Sequence, residues 1–298
     1  MTATAIDVAR KDFEDAIRSR VLWGLTATFV AFLVMALLTA EELVQHVERV
    51  DAIVALTGVA MLAQLFIPGV AIVGGYMALT GERESGSLRV LLSFPFSRGD
   101  VIAGKLFGRL ALTLTALAVG FVVAAAIVAV RYGLPSATTF GLFVAAAALL
   151  GAVFTALAVG GSAIAWTRGR AMALTIGPFV AMVFFWKPVV VGLHYAVNRT
   201  LPGVEVEAWY LFVKRLNPLE AYRVVVGAIL DEPVQAVPHL PLEDLPVGTV
   251  PQAIDTATRL GGDVPWYLSE EAAVGILVLW GLVPIAIGYR RFTASDVG

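Results

Sequence analysis

The chain is 298 residues long, 59% hydrophobic and 15% charged, with a mean hydropathy of +0.84. Soluble domains carry about 25% charged residues, so this balance excludes an ordinary water-soluble globule. A net charge of −2 favours no class of partner, and the lack of cysteine excludes disulfides and thiolate metal sites.

Residues 5–20 read as an amphipathic helix. Ile6, Ala9, Phe13, Ala16 and Ile17 share a face at helical spacing, and Asp7–Lys11 and Glu14–Arg18 are i,i+4 pairs on the other. Such a helix, leading straight into an apolar run, is expected to lie in the headgroup plane; a solvated tail is the alternative. Its dense charge does not suit a cleavable signal peptide.

Beyond it, charge-free runs dominate. No Asp, Glu, Lys or Arg occurs in Val21–Ala40, Ala52–Gly81, Leu110–Val130, Tyr132–Thr167, Ala171–Trp186 or Ala272–Tyr289. A bilayer core about 30 Å thick needs about 20 apolar helical residues, which each run approaches or exceeds. The fifth run continues past Lys187 to about Val197. The predicted fold is an all-α membrane protein, one domain over residues 1–298, with six spans near 21–40, 57–80, 107–130, 140–165, 171–196 and 272–289. Lys187, beside Pro188, marks either an intramembrane polar site or a side chain snorkelling to the headgroups.

Six spans put both termini and the loops near 81–106 and 167–170 on one side. Arg10, Lys11, Arg18, Arg20, Arg83, Arg89, Arg98, Lys105, Arg109, Arg168, Arg170, Arg290 and Arg291 crowd the short segments there. The positive-inside rule makes that side cytoplasmic. Residues 198–271 then form a long external segment: apolar and helix-like over Ala208–Leu230, then loop with little regular structure over Pro233–Trp266. It opens with the glycosylation sequon Asn198-Arg199-Thr200.

Two look-alike motifs are set aside. Gly99 to Lys105 has P-loop spacing, but Leu106 stands where a magnesium-binding Ser or Thr is needed and no buried strand precedes it. Gly104 and Gly108 instead suit close helix packing, with Lys105 and Arg109 at the headgroups. His46, His194 and His239 are scattered, and Gly160-Gly161-Ser162 has no general base in its own span, so catalysis by this chain is not expected. Gly69, Gly74, Gly75, Gly160 and Gly161 are candidates for close backbone approach at a dimer seam.

Between the second and third spans the chain reads Gly81-Glu82-Arg83-Glu84-Ser85-Gly86-Ser87-Leu88-Arg89-Val90-Leu91-Leu92-Ser93-Phe94-Pro95-Phe96-Ser97-Arg98. Ser87 can cap a short helix that presents Leu88, Leu91 and Leu92 on one face, and Pro95 ends it. A leucine stripe on a loop held by two spans suits docking of a soluble partner, or packing on the protein's own underside.

This stretch resembles the signature of permeases of the ABC-2 (type-two ATP-binding-cassette) kind, those of nitrous oxide reductase maturation among them. The resemblance extends to the six spans and to Leu216-Asn217-Pro218-Leu219-Glu220-Ala221-Tyr222-Arg223, which is similar to an N-P-x-x-A-[FY]-R element of such permeases. It implies that residues 82–104 are the coupling loop. Glu82, Arg83, Glu84, Gly86, Leu88, Leu91, Leu92, Pro95 and Arg98 would there meet a separate ABC ATPase subunit, and Asn217, Pro218, Tyr222 and Arg223 would form the external motif. It also implies a plasma-membrane location, a second permease copy or paralogue as partner, and ATP and magnesium bound on the ATPase; this chain would carry no cofactor and meet no nucleic acid. Transport, export in particular, is the activity implied; an ATP-independent membrane scaffold docking a soluble protein is the alternative.

Overall fold

The protein is described by a computed structural model covering residues 5–43, 51–88, 93–94, 96–133, 135–237, 241–244 and 254–294. Among these residues every regular element is helical. Helix α1 (Ala5–Ala16) precedes α2 (Arg20–Leu43), α3 (Ala52–Gly75), the short α4 (Thr80–Ser85), α5 (Arg98–Arg131) and α6 (Ala137–Ile164). Helix α7 (Arg168–Val180) runs through a π turn (Ala181–Phe185) into α8 (Trp186–Asn198). Then come α9 (Ala208–Arg215), α10 (Pro218–Leu230), α11 (Thr256–Leu260), a 3-10 turn (Trp266–Leu268) and α12 (Glu270–Ala294).

Six helical stretches are long and apolar enough to cross a membrane: Arg20–Leu38, Ala52–Ser85, Arg98–Arg131, Ala137–Ile164, Arg168–Asn198 and Glu270–Ala294. The third starts well before the expected residue 107. The reason is a capping box: Ser97 Oγ accepts from the Asp100 amide at 3.0 Å, and Asp100 Oδ2 accepts from the Ser97 amide at 3.0 Å. Lys105 and Arg109 consequently sit within a regular helix.

Two irregularities have local causes. Pro188 has no amide hydrogen and its ring crowds the carbonyl four residues back, so the chain widens to a π turn in which Trp186 N–H reaches Ala181 O. Between α3 and α4 the helix breaks, freeing the amides of Leu79 and Thr80. Both donate to the buried Ser162 Oγ of α6 at 3.0 Å.

Helix α6 lies at the centre, packed against α12, α3, α5 and α10. Apolar side chains gain little by exchanging lipid for protein, so small residues and close contact must hold such a bundle. A Cβ on Gly160 would lie 2.5 Å from the Pro284 carbonyl oxygen, and one on Gly75 would lie 2.8 Å from Ala158 Cβ. Gly161 likewise abuts Thr175. These three glycines therefore serve contacts inside one chain, which corrects their expected place at a dimer seam.

The apolar face of α1 is also rotated from expectation. Val8, Asp12 and Ala16 are buried, whereas Ile6 is 76% exposed. Gly104 and Gly108 of α5 decide this: their missing side chains admit Val8, the Ala5 carbonyl and the Ala9 carbonyl at 2.5–2.8 Å from where a Cβ would stand.

In the segment expected to be external, Asn217 caps α10 by accepting from the Leu219 amide at 2.9 Å, with Pro218 in the first turn. Its Nδ2 donates to Met182 O at 2.8 Å, which ties α10 to the π turn. Helix α10 then packs against α12, α6 and α3. Within the stretch expected to be loop, α11 forms because Asp255 caps it and Gly261 closes it with a left-handed φ of 64°.

Candidate functional site

The sequence-singled residues gather at two opposite ends of the bundle. At the first, α1, α4, the base of α5, the start of α7 and the end of α12 meet. Lys105 Nζ lies 2.7 Å from Asp12 Oδ1 and 2.5 Å from Glu82 Oε1. Arg109 adds a two-pronged contact to Asp12, at 2.7 Å from Nε and 3.0 Å from Nη2, and donates to Gly74 O at 2.6 Å. Lys105 and Asp12 are nearly withdrawn from solvent. The expected headgroup position of Lys105 and Arg109 is therefore corrected: each faces carboxylates of its own chain. The same geometry disposes of the P-loop spacing, because Gly104 faces Val8 and Lys105 is fully engaged within a continuous helix.

The remaining residues of this end form a girdle. Arg83 donates to Ala165 O and lies over the rings of Trp166 at 4.9 Å and Phe292 at 5.3 Å. Glu84 Oε1 accepts from the Arg168 amide at 2.7 Å, and Arg98 Nη1 donates to Phe292 O and Thr293 O at 2.8 and 2.9 Å. Arg98 thus covers the last-turn carbonyls of α12, where a cation is favoured. Gly86 ends α4 with φ 74°, a conformation suited to glycine.

Leu88 does not belong to an exposed stripe: it is 1% exposed and clusters with Leu79, Val101, Ile102, Ala163 and Phe292. Arg89, Leu91, Leu92 and Pro95 lie outside the described residues. Among the described residues of the loop, the large apolar group that is exposed is Phe94, 56% exposed with its ring 6.3 Å from Phe96. Sequence reasoning missed it, and missed Asp12, which it did not single out among the charges of α1. The available signal was its spacing within α1: Val8, Asp12 and Ala16 recur at i, i+4, i+8.

At the opposite end, Glu243 from the loop before α11 is drawn into a nest of cations. Its side chain is 1% exposed, with Lys214 Nζ at 2.8 Å, Arg259 at 3.3 Å, Lys187 at 4.0 Å and the Tyr210 hydroxyl donating at 3.0 Å. Burial raises a carboxyl, but here Lys214 and Arg259 outweigh it and hold Glu243 down to about 2. Burial dominates for Lys214 and lowers it to about 8 despite Glu243. Burial and the adjacent carboxylate both push the Tyr210 phenol up. Lys187, which the sequence left between an intramembrane site and snorkelling, is largely buried and turned toward this loop. Arg223 pairs with Glu220 on α10, and Tyr222 is fully buried beside it.

This arrangement, a helical membrane bundle with a braced loop at one end and a structured segment at the other, has clear relatives. The profile of ABC-2 family transporter proteins matches residues 6–297. The chain belongs to the ABC-2 transporter family, and it is a multi-pass membrane permease subunit of an ABC transporter. It is similar to the probable ABC transporter permease protein NosY of Pseudomonas aeruginosa, 28% identical over 299 residues that cover 97% of this chain and 98% of that protein. It is also similar to the protein of the same description from Stutzerimonas stutzeri, 28% identical over 224 residues covering 74% and 79%.

Proposed function

We propose that this permease couples ATP hydrolysis by a separate ATPase subunit to export of a substrate, as half of a pathway completed by a second copy or a paralogue. ATP and magnesium would be bound by the ATPase. The ends carrying α1 and α12 would face the cytoplasm of a plasma membrane, with residues 198–271 external, in line with the crowding of Arg and Lys into the short segments at 81–109 and 167–170.

One observation carries this reading. The loop that begins at Glu82 is fastened at both ends to several helices at once: Glu82 through Lys105 to α1 and α5, Arg83 to residues 165–166 and to α12, Glu84 to α7, and Arg98 to α12. A force applied to it would move those helices as a body, which is the rigid-body class of transition. A loose loop would absorb the same force.

The contact with the ATPase would centre on Phe94, with Leu91 and Leu92, which lie outside the described residues, as the sequence-based candidates beside it. Leu88 is already buried, and Glu82 and Glu84 already have internal partners. Phe94→Asp tests this, because it puts a carboxylate where a desolvated contact is needed while leaving the girdle intact. The expected result is a normal membrane level of permease with loss of the co-purifying ATPase and of transport-linked ATP hydrolysis. A full ATPase complement on the Phe94→Asp protein would remove this docking site and favour a scaffold role.

A further inference from the structure

At the end of the bundle away from the termini lies a cavity of about 330 Å³, walled by α9, α10, α11 and the start of α12. That is large enough for a small ligand or a lipid headgroup. Lys214, Arg223 and Arg259 reach it from below, all three buried. The Arg223 side chain is only 4% exposed; one nitrogen, Nη2, is bound to Glu220. The other, Nη1, has no acceptor among the described residues. A guanidinium N–H can only donate, and leaving one buried and unmet is costly, more so because it is charged.

The charge balance points the same way. Lys214, Arg223 and Arg259 surround two withdrawn carboxylates, Glu220 and Glu243. Both carboxylates are already engaged, so positive charge is in excess in a region shielded from water, where it needs a counter-charge. The rim has the opposite sign: Asp231, Glu232, Asp255 and Glu270 are exposed around the mouth.

We infer that this cavity binds the oxyanion of a zwitterionic ligand, a phosphate ester or carboxylate accepting from Arg223 Nη1, with the ligand's cationic group held by the rim carboxylates. The acidic rim disfavours polyanions, and the basic floor disfavours simple cations. A soluble zwitterion and a phosphatidylethanolamine-type headgroup share this chemistry. The inference does not depend on how the ATPase docks.

The test uses the full-length permease purified in detergent, with equilibrium dialysis of labelled phosphoethanolamine. Ala228→Trp fills the cavity from an exposed wall position without touching the ion network. Arg223→Lys keeps the charge and the Glu220 partner but removes the second nitrogen, so one variant remains informative if the other fails to fold. Saturable binding by the wild type, weakened about tenfold or more in a variant with an unchanged melting temperature, supports the site. Native mass spectrometry separates the sources. Phosphatidylethanolamine retained on the wild type and lost from Ala228→Trp assigns a lipid, whereas phosphoethanolamine binding without retained lipid assigns a soluble ligand. Lack of both saturable binding and retained lipid in the wild type, or binding that is unchanged in the folded variants, overturns the inference.

Discussion

Lys105 on α5 reaches Asp12 on α1 at 2.7 Å, and both side chains are almost wholly withdrawn from solvent. The pair is completed by Glu82 and Arg109, so two cations and two carboxylates balance at the seam where α1 meets the bundle. An ion pair in such a place contributes less by its attraction than it would cost if one member were removed.

Asp12→Ala should therefore be much more damaging than its position on a charged N-terminal helix suggests. It leaves Lys105 with Glu82 alone and strips Arg109 of its carboxylate, an imbalance that costs about 3–5 kcal/mol. The expected outcome is a marked fall in the thermal midpoint of the purified permease. Arg10→Ala, which breaks the exposed Arg10–Glu14 pair, should change it little. Equal effects of the two substitutions would contradict the buried-network account.

Gly160→Ala tests the centre of the bundle. The new methyl would press on the Pro284 carbonyl, a backbone group that cannot rotate away. Separation of α6 from α12 should cost about 1–3 kcal/mol, read as a lower melting temperature and greater protease sensitivity of the last span. Gly141→Ala, where a Cβ meets nothing within 4 Å, is the matched control and should be neutral or slightly stabilising.

The clamp on Glu243 predicts a pH dependence. Its carboxyl is held at about 2 against an ordinary 4.5. Between those values the unfolded chain binds more protons than the folded one, so stability rises with pH through this window and is lost as pH falls through it. The protection of amides in α9 and α11, measured relative to their intrinsic exchange rate at each pH, should fall as the solution is acidified from pH 4.5 toward 2. Glu243→Gln should flatten that response and loosen the segment already at neutral pH, since Lys214 and Arg259 lose their counter-charge. An acid response unaltered by Glu243→Gln would place its origin elsewhere.

Orientation can be read with single cysteines, because the chain has none of its own. Ser93→Cys and Thr258→Cys place thiols at exposed positions on opposite ends of the bundle. In sealed cells an impermeant maleimide should label Thr258→Cys and reach Ser93→Cys only after permeabilisation. The reverse pattern would invert the proposed topology.

The six apolar runs needed no tertiary information to be recognised, because spanning a membrane depends on length and on the absence of charge, both local properties. The same holds for the Ser97–Asp100 cap and for Asn217–Pro218, whose hydrogen bonds join near neighbours in the chain. The partners of the charges could not be read in this way. Lys105 looked like a headgroup anchor because nothing adjacent neutralises it; its carboxylates come from 93 and 23 residues away. Glu243 lies in the stretch expected to be loop and was not singled out; folding surrounds it with Lys187, Lys214 and Arg259 from separate elements. Whether a glycine marks a contact within the chain or between copies depends on which helix faces it, and Gly160 is settled only by the arrival of Pro284, more than a hundred residues later in the chain. Partition into a membrane is decided segment by segment. The pairing of buried charges and the fitting of backbones are decided by neighbours that only the folded chain brings together.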